Sequence, residues 1–363
     1  MIGIRDVAVE AWRNISSGTT RAFVALGVFM TLVGGIGLLQ VRVLVAVAQQ
    51  AVRFDNSGAS VQVLAATGRI NGAQCDALAT YPGIAAAGAV RQGPDVRLAA
   101  LPTTALHTFE ATPGLGEVLS VATTAETTAW GVWLAEELAE VLGVDDEPAL
   151  LPLVAGVSLN TTGVFAYPSD GRLPVLSYTL ISPVPALGMF DACWVRVWPE
   201  NDGAFALLTL PWQAAGFRDA SDMPRPQQLN TTLGISFDAE RRLAAEPVWP
   251  LTFAGIGVGA VLGFAMVRVR RLELAAALHA GMDKASLLAQ VGLETCVWVA
   301  LAWLSLAPAL GMAASIGNPD PFWVSWYPGL RTASCAGIAV LLGAGTAVLL
   351  TQEQHLFRYF KQR

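Results

Sequence analysis

The chain has 363 residues, of which 54% are hydrophobic and 14% charged, and its formal net charge is −6. Soluble domains carry about 25% charged residues, so a soluble enzyme fits poorly, and the apolar content excludes disorder and a collagen-like fibre. Net acidity argues against nucleic-acid binding, and four cysteines are too few for a disulfide scaffold.

Residues 1–22 form a short N-terminal segment containing Arg5, Arg13 and Arg21. Phe23–Leu39 follows without a charge. It exceeds a typical signal-peptide core and lacks a small-residue cleavage site before Gln40 and Arg42, so an uncleaved membrane anchor is expected. A helical pattern continues through Val41–Val52, so residues 23–49 read as a span plus a stalk. Residues 50–246 are an excursion with Pro and Gly at turn spacing. Strands are expected at Val61–Leu64, Leu150–Val157, Val175–Ile181, Val195–Trp198 and Phe205–Leu210. An amphipathic helix is expected over Thr128–Leu142, where Trp130, Trp133, Leu134, Glu137, Leu138 and Val141 recur at helical spacing before Gly143. A mixed α+β domain results. Cys75 and Cys193 lie within it, and a disulfide and two buried thiols fit the sequence equally. A weak helical pattern over Leu233–Ala245 leads back to the membrane.

Residues 247–351 hold three more apolar runs: Val248–Val267, Leu287–Ala314 with the single charge Glu294, and Thr332–Thr351. A membrane helix needs about 17–25 apolar residues, so four transmembrane α-helices are expected, with the large domain inserted between helices 1 and 2. The short segments 1–22, 268–285 and 352–363 together carry ten basic residues against five acids, whereas residues 50–246 carry ten against 21. By the positive-inside rule both termini face the cytoplasm of a cell membrane and the domain is extracytoplasmic. Phe322, Trp323, Trp326 and Tyr327 supply an interfacial aromatic belt.

Catalytic signatures are absent. The sequence has no phosphate-binding G-x-x-x-x-G-K-[ST] loop, no H-E-x-x-H and no G-x-S-x-G. His107, His279 and His355 are scattered. No catalytic, metal or cofactor site is therefore expected. Small residues recur at four-residue spacing as Gly255, Gly259 and Gly263, as Ala339, Gly343 and Ala347, and as Gly27, Thr31 and Gly35. Such rows let helices approach closely, either within one chain or across a dimer. Glu294, about two turns into its span, reads either as a polar contact to another helix or as a snorkelling side chain.

The segment between the second and third spans is the most informative. Arg268, Arg270 and Arg271 are expected to anchor at the headgroups. Leu272–Ala280 is rich in helix formers, Gly281 suits a helix stop, and Asp283 suits the N-cap of the next helix. This makes a short Ala/Leu-faced helix that a partner could grip, with Leu272, Glu273, Leu274 and Leu278 in it and Met282 and Lys284 just beyond its stop.

Arg270–Met282, followed by an apolar span bearing Leu293-Glu294, resembles the core of the MacB/FtsX-like ABC transporter permeases. The order of one span, an outer domain and three spans is similar too, as are Val132–Gly143 and the Gly163-Val-Phe-Ala-Tyr-Pro stretch within the domain. His279 departs from the family's usual basic residue, and Asp283-Lys284-Ala285 from a more basic turn. The resemblance implies a permease subunit paired with a separate cytoplasmic ATPase, which binds ATP and Mg, and with a second permease chain in the bilayer. It implies that the segment from Arg270 to Lys284 is the ATPase contact, and that movement of the outer domain serves export or mechanotransmission. Two alternatives are a non-transporting complex that signals to a cell-wall hydrolase or sensor, and a membrane-anchored adaptor without an ATPase.

Overall fold

A computed structural model describes residues 4–18, 20–123, 131–144, 148–213 and 224–352. It divides into two compact units, one formed by Met1–Gln50 with Ala239–Arg363 and the other by Ala51–Asp238.

The first unit is helical. An N-terminal helix α1 (Ile4–Ser16) precedes α2 (Ala22–Asn56), which continues as one helix beyond the first apolar run. In the second unit, strands and short helices alternate as β1 (Val61–Asn71), α3 (Gly72–Ala77), β2 (Ile84–Gln92), β3 (Thr108–Ala111), α4 (Gly114–Val118), β4 (Ala122–Thr123), β5 (Val132–Ala135) and α5 (Glu136–Leu142). They continue as β6 (Leu150–Pro152), β7 (Ser158–Phe165), β8 (Leu180–Pro183), β9 (Met189–Val197), α6 (Asp202–Leu207) and β10 (Gln227–Gln228). The chain returns to the first unit through α7 (Ala239–Ala245), α8 (Val248–Val269), α9 (Arg271–His279), α10 (Lys284–Ser315) and α11 (Phe322–Leu349). Four helical segments are long and apolar enough to cross a membrane: α2, the Ala239–Val269 segment that includes α8, α10 and α11.

The sheet runs β10-β1-β9-β2-β3-β8-β5-β7-β4, with β6 paired to β7. The β3–β8 and β5–β7 pairs are parallel and the others antiparallel. Alternation sorts side chains to two cores. Val61, Val63 and Trp194 join one cluster with Leu115 and Phe165, while Leu64, Cys193, Val195 and Val197 join the other with Leu78 and Phe190. Cys75 of α3 and Cys193 of β9 are disulfide-bonded and fully buried in the second cluster. Phe54, where α2 enters this unit, stacks with Trp198 and lies 5.7 Å, ring to ring, from Phe237 near the exit. Entry and exit of the chain are thus held together within the domain.

Several expected elements differ. Val132–Ala135 is a strand, not the first half of a helix, and only Glu136–Leu142 is helical before Gly143 turns left-handed at φ 65°. The run is buried on both faces between β7 and β8, and such a strand shows the same apolar density as a helix segment. Residues 128–130, including Trp130, lie outside the described residues. Leu150–Val157 is interrupted by a turn at Gly156 that makes a hairpin of β6 and β7. Within Val175–Ile181 only the last two residues are strand. Phe205–Leu210 is not a strand: Phe205 lies in α6, which Asn201 starts by accepting a hydrogen bond from Gly203 N–H.

Candidate functional site

The helical unit places the sequence-selected residues in three groups. The first is the seam between α8 and α11. A Cβ on Gly259 would stand 2.3 Å from the Ala336 carbonyl oxygen, and one on Gly263 2.0 Å from that of Val340. In return, a Cβ on Gly343 would stand 2.1 Å from the Ala260 oxygen. Gly255 faces Thr332, and Ala339 and Ala347 are buried in the helix bundle. Only hydrogen fits at these close approaches. This row is therefore used inside the chain, so it is not a surface for a second copy. The row Gly27, Thr31 and Gly35 on α2 differs: it is exposed, and a Cβ at either glycine would meet open space.

The second group is a neutral network near one end of the bundle. Gln40 of α2 donates to the Val248 carbonyl at 2.7 Å and to Thr252 Oγ1 at 3.0 Å. Thr332 of α11 donates to Gln40 Oε1 at 2.8 Å and lies 2.9 Å from Thr252 Oγ1. All three side chains are buried and every one is satisfied, as the cost of an unpaired polar group in an apolar surround requires.

The third group surrounds Glu294. Arg270 sits at the break between α8 and α9, where the backbone leaves helical geometry at φ −94° and ψ 10°. Its Nη1 donates to Glu294 Oε2 at 2.5 Å, and its Nη2 to Glu273 Oε1 at 2.8 Å. Asn14 of α1 donates to Glu294 Oε1 at 2.7 Å, and Gln290 donates to the same oxygen at 3.3 Å. The Arg270 and Glu294 side chains are only 10% and 4% exposed. Arg270 is thus no headgroup anchor; it turns inward because the span's one carboxylate gives it a better partner than water. A buried charge pair is tolerated only with such geometry and extra hydrogen bonds. Sequence reasoning missed α1 and Asn14. The spacing of Ile4, Ala8, Ala11 and Ile15 was the available signal for the helix.

Around this cluster, α9 has a buried and an open edge. Leu274 is 3% exposed and packs with Val267, Leu287, Val291 and Val348, with Leu278 and Met282 against them. Leu274 and Leu278 therefore serve the bundle and do not offer a gripping surface. Arg271 and Leu272 are half-buried, while Glu273, Ala276, His279 and Gly281 are exposed. Gly281 takes φ 94°, a left-handed conformation that ends the helix. Asp283 then caps α10 by accepting from Ser286 Oγ at 2.6 Å and Ser286 N–H at 3.1 Å. Those two bonds hold its carboxyl below the usual range. The cap is complete above the ordinary carboxylate pKa and is lost as pH falls through the lowered one. Lys284 Nζ reaches the Leu349 carbonyl at 3.5 Å, at the end of α11.

In the second unit a cleft of about 310 Å³ lies beside Asp55, Ser120, Arg172 and Arg196. Its arginines are committed: Arg196 forks onto Asp55, and Arg172 bonds Asp170 and the Asn56 carbonyl. Among the described residues no three His, Cys, Asp or Glu side chains cluster as a metal site.

No protein-family model matches the chain, and no curated protein matches its sequence. Solved structures similar in part to the chain include the following three. The periplasmic region of MacB from Actinobacillus actinomycetemcomitans is 12% identical, over 41% of this chain and 80% of that one, with a TM-score of 0.31. A domain described as belonging to a permease protein of Porphyromonas gingivalis is 17% identical, over 48% and 92%, with a TM-score of 0.34. The extracellular domain of the ABC-type transporter YknZ from Gram-positive bacteria is 11% identical, over 46% and 98%, with a TM-score of 0.30. At such scores these likenesses carry no argument about activity.

Proposed function

We propose that the chain is the membrane subunit of a MacB/FtsX-type ABC transporter and that a separate cytoplasmic ATPase grips α9. The observation that carries this reading is the clamp on α9. A short helix is fixed at the residue that precedes it by the Arg270–Glu294–Asn14 cluster, is anchored along its buried edge by Leu274, and ends at Gly281 beside a capped α10. A loop that only connected two spans would need none of this. A force applied to the open edge of α9 is delivered to α10 and α1 through charged hydrogen bonds, which are the stronger kind. The basic short segments support α9 on the cytoplasmic side and residues 51–238 outside, by the positive-inside rule.

The first span supports a mechanical role. At 1.5 Å per residue the 35 residues of α2 extend about 52 Å, beyond the roughly 30 Å hydrocarbon core. It is a continuous rod that carries movement out of the bilayer, for export or for signalling to an extracytoplasmic partner. ATP and Mg belong to the ATPase in this scheme, and the chain itself supplies the contact and the lever.

The test uses the exposed edge. Ala276→Trp and His279→Glu should abolish co-purification of a P-loop ATPase while leaving the chain's thermal unfolding unchanged. Retained association in both variants would overturn the assignment of α9. Leu274→Asp is not informative, because it disrupts the bundle core directly.

A further inference from the structure

The apolar runs of α2, α8 and α11 share one boundary: they end or begin at Leu39, Val248 and Thr332, and the Gln40–Thr252–Thr332 network marks that level. Arg331 stands in this layer, one residue before Thr332. Its guanidinium lies over the ring of Trp249 at 4.2 Å. Its Nε is shut off from water and has no hydrogen-bond partner, and among the described residues no carboxylate pairs with it. Trp249 is itself 60% exposed. A half-buried cation thus stacks on an open indole at the edge of the apolar zone, and among the described residues no anion meets it.

A groove of about 530 Å³ runs between α10 and α11, with Phe29 of α2 at its side, and its α11 wall begins within a turn of Arg331. Ser334, Ile338 and Leu341 form its α11 wall and follow Arg331 at i+3, i+7 and i+10, on one helix face. Ala300 and Trp303 form the α10 wall. The Ser334 hydroxyl accepts a hydrogen bond from Trp303 Nε1 at 3.0 Å, which leaves an almost wholly apolar lining. Ten residues of rise from Arg331 to Leu341 make about 15 Å, half of the roughly 30 Å hydrocarbon core. Arg331 and the groove together therefore span about one leaflet.

We propose that this is a phospholipid site: Arg331 and Trp249 hold the lipid phosphate, and one acyl chain lies in the α10–α11 groove. The site rests only on the reading of the four helices as membrane spans, not on an ATPase partner. One molecule answers both features. Inorganic phosphate would satisfy Arg331 and leave the groove empty. A helix of a second copy would fill the groove without an anion to offer, since the one carboxylate within an apolar run, Glu294, is already paired. Arginine suits the headgroup because its planar fork both stacks on the indole and donates to phosphate oxygens.

The full chain in detergent is presented with phosphatidylglycerol, with diacylglycerol of the same acyl chains, and with millimolar inorganic phosphate, and retained ligand is read by native mass spectrometry. One phosphatidylglycerol per chain is expected, retained about tenfold better than diacylglycerol, the ratio that about 1.4 kcal/mol of phosphate contact produces. Arg331→Leu should lower phosphatidylglycerol retention to the diacylglycerol level, and Arg331→Lys should fall between, because it keeps the charge but loses the stack. Ala300→Phe, at an exposed position in the groove, should lower retention of both lipids and leave thermal unfolding unchanged. Equal retention of the two lipids by the native chain would overturn the proposal. So would displacement by inorganic phosphate, a groove occupied by a second copy as a dimer mass that Ala300→Phe abolishes, or unchanged retention in a folded Arg331→Leu. Trp249→Leu provides a second variant at an exposed position if Arg331→Leu does not fold. ATPase co-purification, measured on the same samples, is expected to be unaffected, so a failure here is separable from a failure of the α9 assignment.

Discussion

The two ends of the helical unit solve the same problem with different chemistry. Near Val248, α2, α8 and α11 are tied by an amide and two hydroxyls, each donating and accepting within a closed set. Near Arg270, α1, α9 and α10 are tied by a charged pair whose carboxylate takes two side-chain amides on its other oxygen. The neutral set joins helices that need only stay together. The charged set joins pieces at a helix break, where only strong, directional bonds fix an angle that the backbone does not. Charge in this unit sits where the break between α8 and α9 leaves an angle to be fixed.

Removing single groups tests that difference. Glu294→Leu leaves the buried Arg270 guanidinium with the exposed Glu273 alone, and loss of one partner of a buried pair costs about 3–5 kcal/mol. Thermal unfolding should register it, and the double variant with Arg270→Met should restore most of the loss. An unrescued double variant would mean that the cluster matters through Asn14 and not through the charge pair. Gly263→Leu acts on the seam that both ends share. Overpacking costs about 1–3 kcal/mol and occasionally more, and the upper end is expected here because the obstacle is a backbone oxygen. Gly35→Leu, a residue of the exposed row on α2, should stay within about 0.5 kcal/mol, as surface changes do. A large effect there would reveal a partner for that face. Gln40→Leu is the mildest of the network variants. It leaves hydroxyls that still bond each other and the Val248 carbonyl, so about 1 kcal/mol is expected from the lost hydrogen bonds. A loss as large as that of Glu294→Leu would erase the distinction between the two ends.

The four apolar helices were legible in the sequence because a membrane span is set by length and lack of charge, both local quantities. The stop at Gly281 and the cap at Asp283 were legible for the same reason: each acts within three residues. The Arg270–Glu294 pair was not, since its members lie on different helices and the angle at the break decides whether they meet. Leu274 misled because an apolar face on a short helix reads the same whether it meets a partner or its own bundle. In the second unit β5 was mistaken for helix, because Val132–Ala135 is apolar on both faces and carries no alternation. The bond between Cys75 and Cys193 depends on strand order, which no local pattern encodes.

That strand order has a consequence for how the domain is made. β9 lies between β1 and β2, and Cys193 on it is the partner of Cys75, 118 residues earlier. At the ~5–20 residues per second of synthesis, the first half of the domain waits about 6–24 s for its central strand to emerge. During that interval β1 and β2 expose the edges that β9 will cover, and the Cys75 thiol has no native partner. The domain's assembly is thus governed by delivery of its last third, and a chain arrested before Met189 would offer open strand edges and a reactive sulfur to whatever waits beside it.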